Sequence, residues 1–163
     1  MTNGTVDFLL KLVEKHDNLD MKLMHNNEGG LAYYEHNRKK VFQAGRGYEI
    51  VETIGNIQDA GYVVMNHIPV DEENQPTFEE RIGRRIHLVE EMPGFQAFRF
   101  LKPLKGNMYI VLTQWRTKKD FNRWKGLDEF HETHQPATVK SSTYLFESPH
   151  ITYFKMYTEE EDE

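Results

Sequence analysis

The sequence contains no cysteine among its 163 residues. This absence excludes a disulfide scaffold, a thiolate nucleophile, a cysteine-ligated zinc site and an iron–sulfur cluster. No apolar run is as long as a membrane span, and the polar start MTNGTVD does not resemble a signal peptide. We therefore expect a cytoplasmic protein with no membrane partner.

Basic residues are fewer than acidic ones. The chain has 20 lysines and arginines against 26 acidic residues, which gives a net charge of −6. Nucleic-acid binding is disfavoured because no strongly basic face offsets this acidic balance. The last five residues are all acidic, so we expect residues 158–163 to form a solvated tail. Aromatic residues make up 12% of the chain, and its length is enough for a core of its own.

Several catalytic motifs are also missing. The sequence has no glycine-rich phosphate loop, no GxSxG, no HExxH and no EF-hand, and no pair of carboxylates stands out as a glycosidase dyad.

The sequence pattern of residues 1–58 predicts a β-rich N-terminal extension with one helix. The segment Thr5–Glu14 is apolar, with β-branched and aromatic members, and we interpret it as part of a small meander. A turn over Asn26–Gly30 separates two further strands. Ile50, Val51 and Ile54 lie at helical spacing, which predicts the helix over 48–54.

Residues 59–157 predict the element order β-α-β-β-α-β, which is the ferredoxin-like pattern of the α+β class. Thr77 with Glu80, and Thr117 with Asp120, are placed as capping boxes at the starts of the two helices. The predicted strands are 61–70, 95–101, 108–115 and 142–157, and an apolar stripe of Phe78, Ile82, Ile86 and Val89 marks the first helix.

The first strand of this domain is apolar on both faces: Tyr62, Val64 and Ile68 on one, Val63 and Met65 on the other. Such a sheet needs a cover on each face. The second cover could be the N-terminal region, another subunit or both. Because such sheets commonly close a barrel-like dimer, we expect a homodimer.

Asn66 shares a strand face with apolar residues, so its carboxamide needs a partner in a backbone group, a water or a ligand. The stretch WRTKKDFNRWKGLDEFHETH holds Trp115, Trp124, His131 and His134. Trp115 fits a core position. The two histidines could clamp zinc, but no third ligand is evident. Gly126 interrupts the helix, so that His134 could face the cavity that Trp124 lines.

The segment from about Gly61 to Tyr157 resembles the antibiotic biosynthesis monooxygenase (ABM) domain, and within it the IsdG-type haem-degrading monooxygenases. The strand VVMNHIPV, the helix ending in MPGF and the spacing within WKGLDEFHETH carry this resemblance. The extension also resembles TRAP, a related class linked to signalling that does not keep the tryptophan. Trp124 favours the enzyme.

The resemblance implies an active-site triad of Asn66, Trp124 and His134. Haem would be both substrate and cofactor, with His134 as the iron ligand, Asn66 as a hydrogen-bond donor on the opposite side, and Trp124 pressing on the macrocycle. It implies that the ring is opened with O2 and that iron is released. An external electron donor is expected, since the chain has no flavin or nicotinamide signature.

Two alternatives stay open at this point. One is a non-enzymatic haem-binding or TRAP-like regulatory protein, and the other is a cofactor-free ABM monooxygenase acting on a quinol-like aromatic. Turnover of bound haem would separate the first alternative from the enzyme, and a haem requirement would separate the second.

Overall fold

The structure is a computed structural model that describes residues 1–35, 42, 45–126 and 149–158. Its elements in these ranges are β1 (Thr2–Gly4), α1 (Val6–Lys15), β2 (Lys22–Asn26), β3 (Gly29–Tyr33), β4 (Tyr48–Ile54), β5 (Tyr62–Pro69), α2 (Gln75–Arg85), α3 (His87–Glu90), β6 (Phe95–Pro103), β7 (Met108–Trp115), α4 (Lys118–Lys125) and β8 (His150–Met156). None of the helices within these ranges is long and apolar enough to cross a membrane.

The strands form one antiparallel sheet in the order β1-β3-β2-β8-β5-β7-β6-β4. Its central part, β8-β5-β7-β6, together with α2, α3 and α4, reproduces the predicted β-α-β-β-α-β arrangement. The ferredoxin-like fold of the α+β class is therefore confirmed. The sheet continues across residue 58, because β4 pairs with β6. The domain division at that point stays a prediction.

The sheet curls until its two ends meet. The backbone N–H of Arg46, just before β4, donates to the Met1 carbonyl over 2.8 Å, and the Met1 amine donates to the Arg46 carbonyl over 2.9 Å. A charged bridge reinforces this closure: Arg99 on β6 binds Glu35, just after β3, over 2.7 Å. The N-terminal strands therefore cover the second face of the central sheet.

Two cores result from this curl. The helix-side core lies between the sheet and α2, α3 and α4, and its buried members include Tyr62, Val64, Ile68, Phe78, Ile82, Ile86, Val89, Val111, Trp115, Phe121 and Trp124. The interior core lies inside the curl and includes Met24, Leu31, Tyr33, Val63, Met65, Leu101, Ile110, Leu112, Phe154 and Met156. Alternate residues of β5 therefore pack into two different cores, one on each face of the sheet.

The N-terminal prediction placed its helix wrongly. Residues 6–15 form α1, which begins at the cap Thr5, whose hydroxyl accepts from the Phe8 N–H over 3.3 Å. Residues 48–54 form strand β4 instead of the predicted helix. Val51 is an extra residue in the β4–β6 register, and it packs on the same core as Ile54. This bulge produces the three-residue spacing that resembled a helix.

One of the two predicted capping boxes is also wrong. Helix α2 begins at Gln75 with Pro76 in its first turn, so Thr77 already lies inside the helix. At the other box the Thr117 cap forms as predicted, since its hydroxyl accepts from the Asp120 N–H over 3.2 Å. The Asp120 carboxylate accepts from that same hydroxyl over 3.0 Å. Of the last predicted strand, residues 142–148 lie outside the described ranges, as does the acidic end from 159.

Candidate functional site

Asn66 places a carboxamide on the helix-side face of β5. Its neighbours along the strand on that face are Val64 and Ile68, and its cross-strand partners are Val111 on β7 and Ile151 on β8. All four side chains belong to or pack against the helix-side core. Asn66 itself is only 4% exposed. The strand therefore sets one polar group in an apolar wall that faces the helices.

No hydrogen bond joins the Asn66 carboxamide to another of the described residues. An amide that was fully shielded from water in this condition would cost about 1–3 kcal/mol of stability. Water, a residue outside these ranges or a bound ligand can supply its partner.

Helix α4 positions Trp124 in the same layer. Phe121 and Trp124 lie three residues apart, which puts both on the buried face of the helix. Trp124 is 1% exposed, and its ring stacks on Trp115 with a centroid separation of 5.1 Å and an interplanar angle of 30°. The helix ends at Gly126, where the sequence predicted an interruption.

Trp115 is fixed from several sides. Its indole N–H donates to the Thr113 hydroxyl over 2.9 Å, and the Phe95 ring meets it edge-on at 5.9 Å. The sequence predicted Trp115 as a core residue, which its burial confirms. Its role as the surface on which Trp124 stacks was missed, although the alternation of Thr113 and Trp115 along β7 already put both side chains on one face.

A cluster of aromatic rings connects the two tryptophans with the Asn66 strand. Phe121 contacts Tyr62 at 6.2 Å and Tyr153 at 6.0 Å, and these two tyrosines stack at 6.1 Å. Tyr62 precedes Asn66 by four residues on the same face, which corresponds to about 13 Å along a strand. Burial, and then the neighbouring Tyr153, raise the pKa of the Tyr62 hydroxyl.

Of the predicted triad, the structure therefore places Asn66 and Trp124 in one layer between sheet and helices. His134 lies outside the described residues, and so does His131. The haem-ligand role of His134 and the zinc alternative both stay predictions. Across the described ranges, no cluster of three or more potential metal-ligating side chains is found.

The sequence profile of the antibiotic biosynthesis monooxygenase family matches residues 61–136. The mycobilin-producing haem oxygenase of Mycobacterium tuberculosis is 34% identical over 88 residues, which cover 52% of this chain and 84% of that enzyme. The chain belongs to the antibiotic biosynthesis monooxygenase family. A haem-degrading monooxygenase of Listeria monocytogenes is 28% identical over 125 residues, which cover 77% of this chain and 75% of that one. The predicted resemblance to haem-degrading members is therefore confirmed.

A second group of relatives carries a different name. The signal transduction protein TRAP of Staphylococcus epidermidis is 20% identical over 154 residues, covering 94% of this chain and 92% of that one.

Solved structures of a regulator and of an enzyme both share this fold. A major regulator of staphylococcal pathogenesis superposes with a TM-score of 0.83 at 18% identity, covering 94% of both chains. The haem-degrading enzyme LmHde of Listeria monocytogenes superposes with a TM-score of 0.78 at 22% identity, covering 94% of this chain and 95% of that one. Because both share this fold, the fold does not decide the activity, and the residues of the site have to.

Proposed function

We propose that this family member is a haem-degrading monooxygenase that binds haem between the central sheet and the helices. The observation that carries the proposal is the Asn66 carboxamide, which lies in an apolar wall and forms no hydrogen bond with another of the described residues. An amide N–H in an apolar wall can donate a hydrogen bond to a polar group at the centre of a flat, otherwise apolar ligand. The haem-degrading relatives support haem as that ligand.

The residues in this layer fit such a ligand. Asn66 supplies a donor, Val64 and Ile68 supply apolar walls, and Trp124 supplies a rigid indole backed by Trp115. His134 completes the proposed set as the iron ligand, and the family match over residues 61–136 includes its position. When bound, haem supplies both the iron that activates O2 and the porphyrin ring that is oxidised.

Each side chain has a separate task in this proposal. His134 would hold the iron through a neutral ring nitrogen. Asn66 would donate a hydrogen bond where negative charge develops during the reaction. Trp124 would present a rigid indole to the porphyrin, because its stack on Trp115 fixes the position of its ring. The surrounding apolar wall excludes water from the reacting atoms.

The remaining parts of the proposal are what the family resemblance implies. Electrons come from an external donor, and the products are iron and an opened tetrapyrrole. A cytoplasmic location and a homodimer stay predictions. Since β2 and β3 already contribute to the interior core, a second subunit is not needed to cover that face of the sheet.

The test is haem turnover by the full chain. Haemin is added to the protein, the Soret band is recorded, and ascorbate is then supplied in air and, as a control, under nitrogen. We expect the Soret band to disappear only in air, together with release of iron to a chelator. A Soret band that persists in air with ascorbate would contradict the proposal.

The TRAP-like regulator is the second candidate, because the match to TRAP spans 94% of the chain, including the N-terminal extension. It predicts either no haem binding or a haem complex that survives ascorbate in air. The cofactor-free monooxygenase predicts oxygen consumption with a polyphenol substrate and no Soret shift. The same absorbance experiment therefore separates all three.

A further inference from the structure

The interior face of the sheet carries a pair of histidines, on neighbouring strands, that the proposed reaction does not use. His67 on β5 and His150 on β8 are direct partners in the antiparallel register. Their rings are parallel to within 5° and their centroids are 4.4 Å apart. Because side chains alternate along a strand, His67 points away from the face that Asn66 occupies. The pair is therefore separate from the proposed haem site.

The two rings can be reached from outside the protein. His150 is exposed and His67 is only partly buried. The Nε2 atom of His67 lies 2.9 Å from the Thr152 hydroxyl, with which it shares a hydrogen bond. Arg46 is the one cationic side chain among the described residues that influences His67 electrostatically, and it lies in an exposed segment before β4. A metal ion that binds imidazole nitrogen can therefore approach from the His150 side.

Two imidazoles on facing positions of adjacent strands have the separation that chelation requires, because directly opposed Cβ atoms lie about 4.5–5.5 Å apart. Borderline divalent ions prefer imidazole nitrogen, and their affinities for such a site rise from Ni2+ to Cu2+ and fall again at Zn2+. A hard ion such as Mg2+ prefers oxygen ligands. The chemistry of the pair thus selects a transition metal.

We propose that His67 and His150 form a two-histidine site for a divalent transition-metal ion, with Cu2+ bound most tightly. Each ring contributes one nitrogen, and water or a small exogenous ligand completes the coordination sphere. The parallel rings do not direct their nitrogen lone pairs at a common point, so binding requires both rings to tilt towards the metal ion and the His67 ring to turn away from the Thr152 hydroxyl. The positive charge of Arg46 weakens the site but leaves the order of metals unchanged.

The experiment is a calorimetric titration of the full chain with Cu2+, Ni2+ and Mg2+, using His67→Gln, His150→Gln and His87→Gln. Each variant keeps seven of the eight histidines, and His87 lies exposed on α3, so it controls for non-specific imidazole binding. We expect His87→Gln to match the parent. The His67 and His150 variants should each weaken Cu2+ binding by roughly tenfold or more, since loss of a group outside the ligand shell already costs about 10–100-fold.

Circular dichroism of each variant establishes that it is folded before the titration, and His150→Gln is the safer test because its side chain is exposed. Nitrogen hyperfine coupling from two imidazoles in the Cu2+ electron paramagnetic resonance spectrum would support the assignment. Equal Cu2+ affinity in the parent and in folded His150→Gln would overturn it, as would binding of Mg2+ as tightly as Cu2+. Neither result would bear on haem turnover.

Discussion

Trp115 and Trp124 stack at 5.1 Å, and this contact joins the end of β7 to helix α4. Both rings are almost completely buried, and Phe121 meets each of them edge-on at 6.2 Å. The position of Trp124 is therefore set by a second aromatic residue that belongs to the sheet. In the proposed reaction, this contact is what gives the Trp124 indole its rigidity.

Replacement of Trp115 tests that contact. Trp115→Leu should lower the free energy of unfolding by about 3–5 kcal/mol, because it removes a large buried ring and leaves a cavity beside Trp124. Trp115→Phe keeps an aromatic surface and should lose much less. Urea unfolding measures both values. If Trp115→Leu costs under about 1 kcal/mol, the stack does not hold α4 in place.

The Asn66 carboxamide leads to a prediction of the opposite sign for the stability of the ligand-free protein. Asn66→Leu should raise the free energy of unfolding by about 1–3 kcal/mol, because it replaces a carboxamide with an apolar group in an apolar wall. The same variant should lose haem turnover. Chemical denaturation of the haem-free protein measures the first effect and Soret decay the second.

Gln114 provides the matched control for that experiment. It is also a fully buried amide, but it accepts from the Gln58 N–H over 2.7 Å and donates to the Gln58 carbonyl over 2.9 Å. Gln114→Leu should therefore be destabilising. If Asn66→Leu destabilises the protein as Gln114→Leu does, Asn66 has a structural partner and its proposed role is wrong.

The bridge between Glu35 and Arg99 should be important for closing the sheet. Arg99 is 4% exposed and also donates to the Gly55 carbonyl over 2.8 Å, while the Tyr33 hydroxyl donates to Glu35 over 2.6 Å. Glu35→Ala leaves the arginine charge buried without its carboxylate, so we expect a loss of about 3 kcal/mol in unfolding free energy.

The exposed pair of Glu80 and Arg84 on α2, joined over 3.0 Å, is the control for the Glu35 variant. Glu80→Ala should change the stability by less than about 0.5 kcal/mol, since an exposed ion pair is screened by water. Similar losses for Glu35→Ala and Glu80→Ala would show that the buried bridge is not special.

Stability should fall in mild acid through His67. Burial, followed by the neighbouring His150 and Arg46, lowers the pKa of His67 from 6.5 to about 4. Between these pH values the unfolded chain binds the proton and the folded chain does not, so the unfolding free energy decreases as the pH falls. The contribution of His67 to this decrease approaches about 1.4 kcal/mol of unfolding free energy per pH unit.

Urea unfolding of the metal-free protein between pH 6.5 and 4 measures this slope. His67→Gln should flatten it, whereas His87→Gln, at an exposed position on α3, should keep it. An unchanged slope in His67→Gln would show that other groups cause the acid sensitivity.

The ferredoxin-like part of the fold could be predicted because its elements have strong local signals. The apolar stripe from Phe78 to Val89 is buried as its spacing indicated, and the Thr117 cap starts α4. The N-terminal part could not be predicted as well. The apolar residues of α1 fit both a strand composition and a helical period, and the bulge at Val51 gave β4 a helix-like spacing.

The candidate site was predictable only in part, for a physical reason. Sequence spacing puts Asn66 on an apolar face and Trp124 on a buried one, and both positions are as expected. The stack of Trp124 on Trp115 and the closure between Arg46 and Met1 depend on how distant elements pack. No local pattern encodes those contacts.

The most direct test of the central proposal is a haemin titration, followed by absorbance, of the parent chain, His134→Ala and His131→Ala. The two variants remove the same side chain three residues apart, so a general loss of imidazole affects both. We predict that His131→Ala keeps the Soret shift and the haem turnover of the parent, while His134→Ala loses both. A His134→Ala protein that binds and degrades haem like the parent would contradict the account.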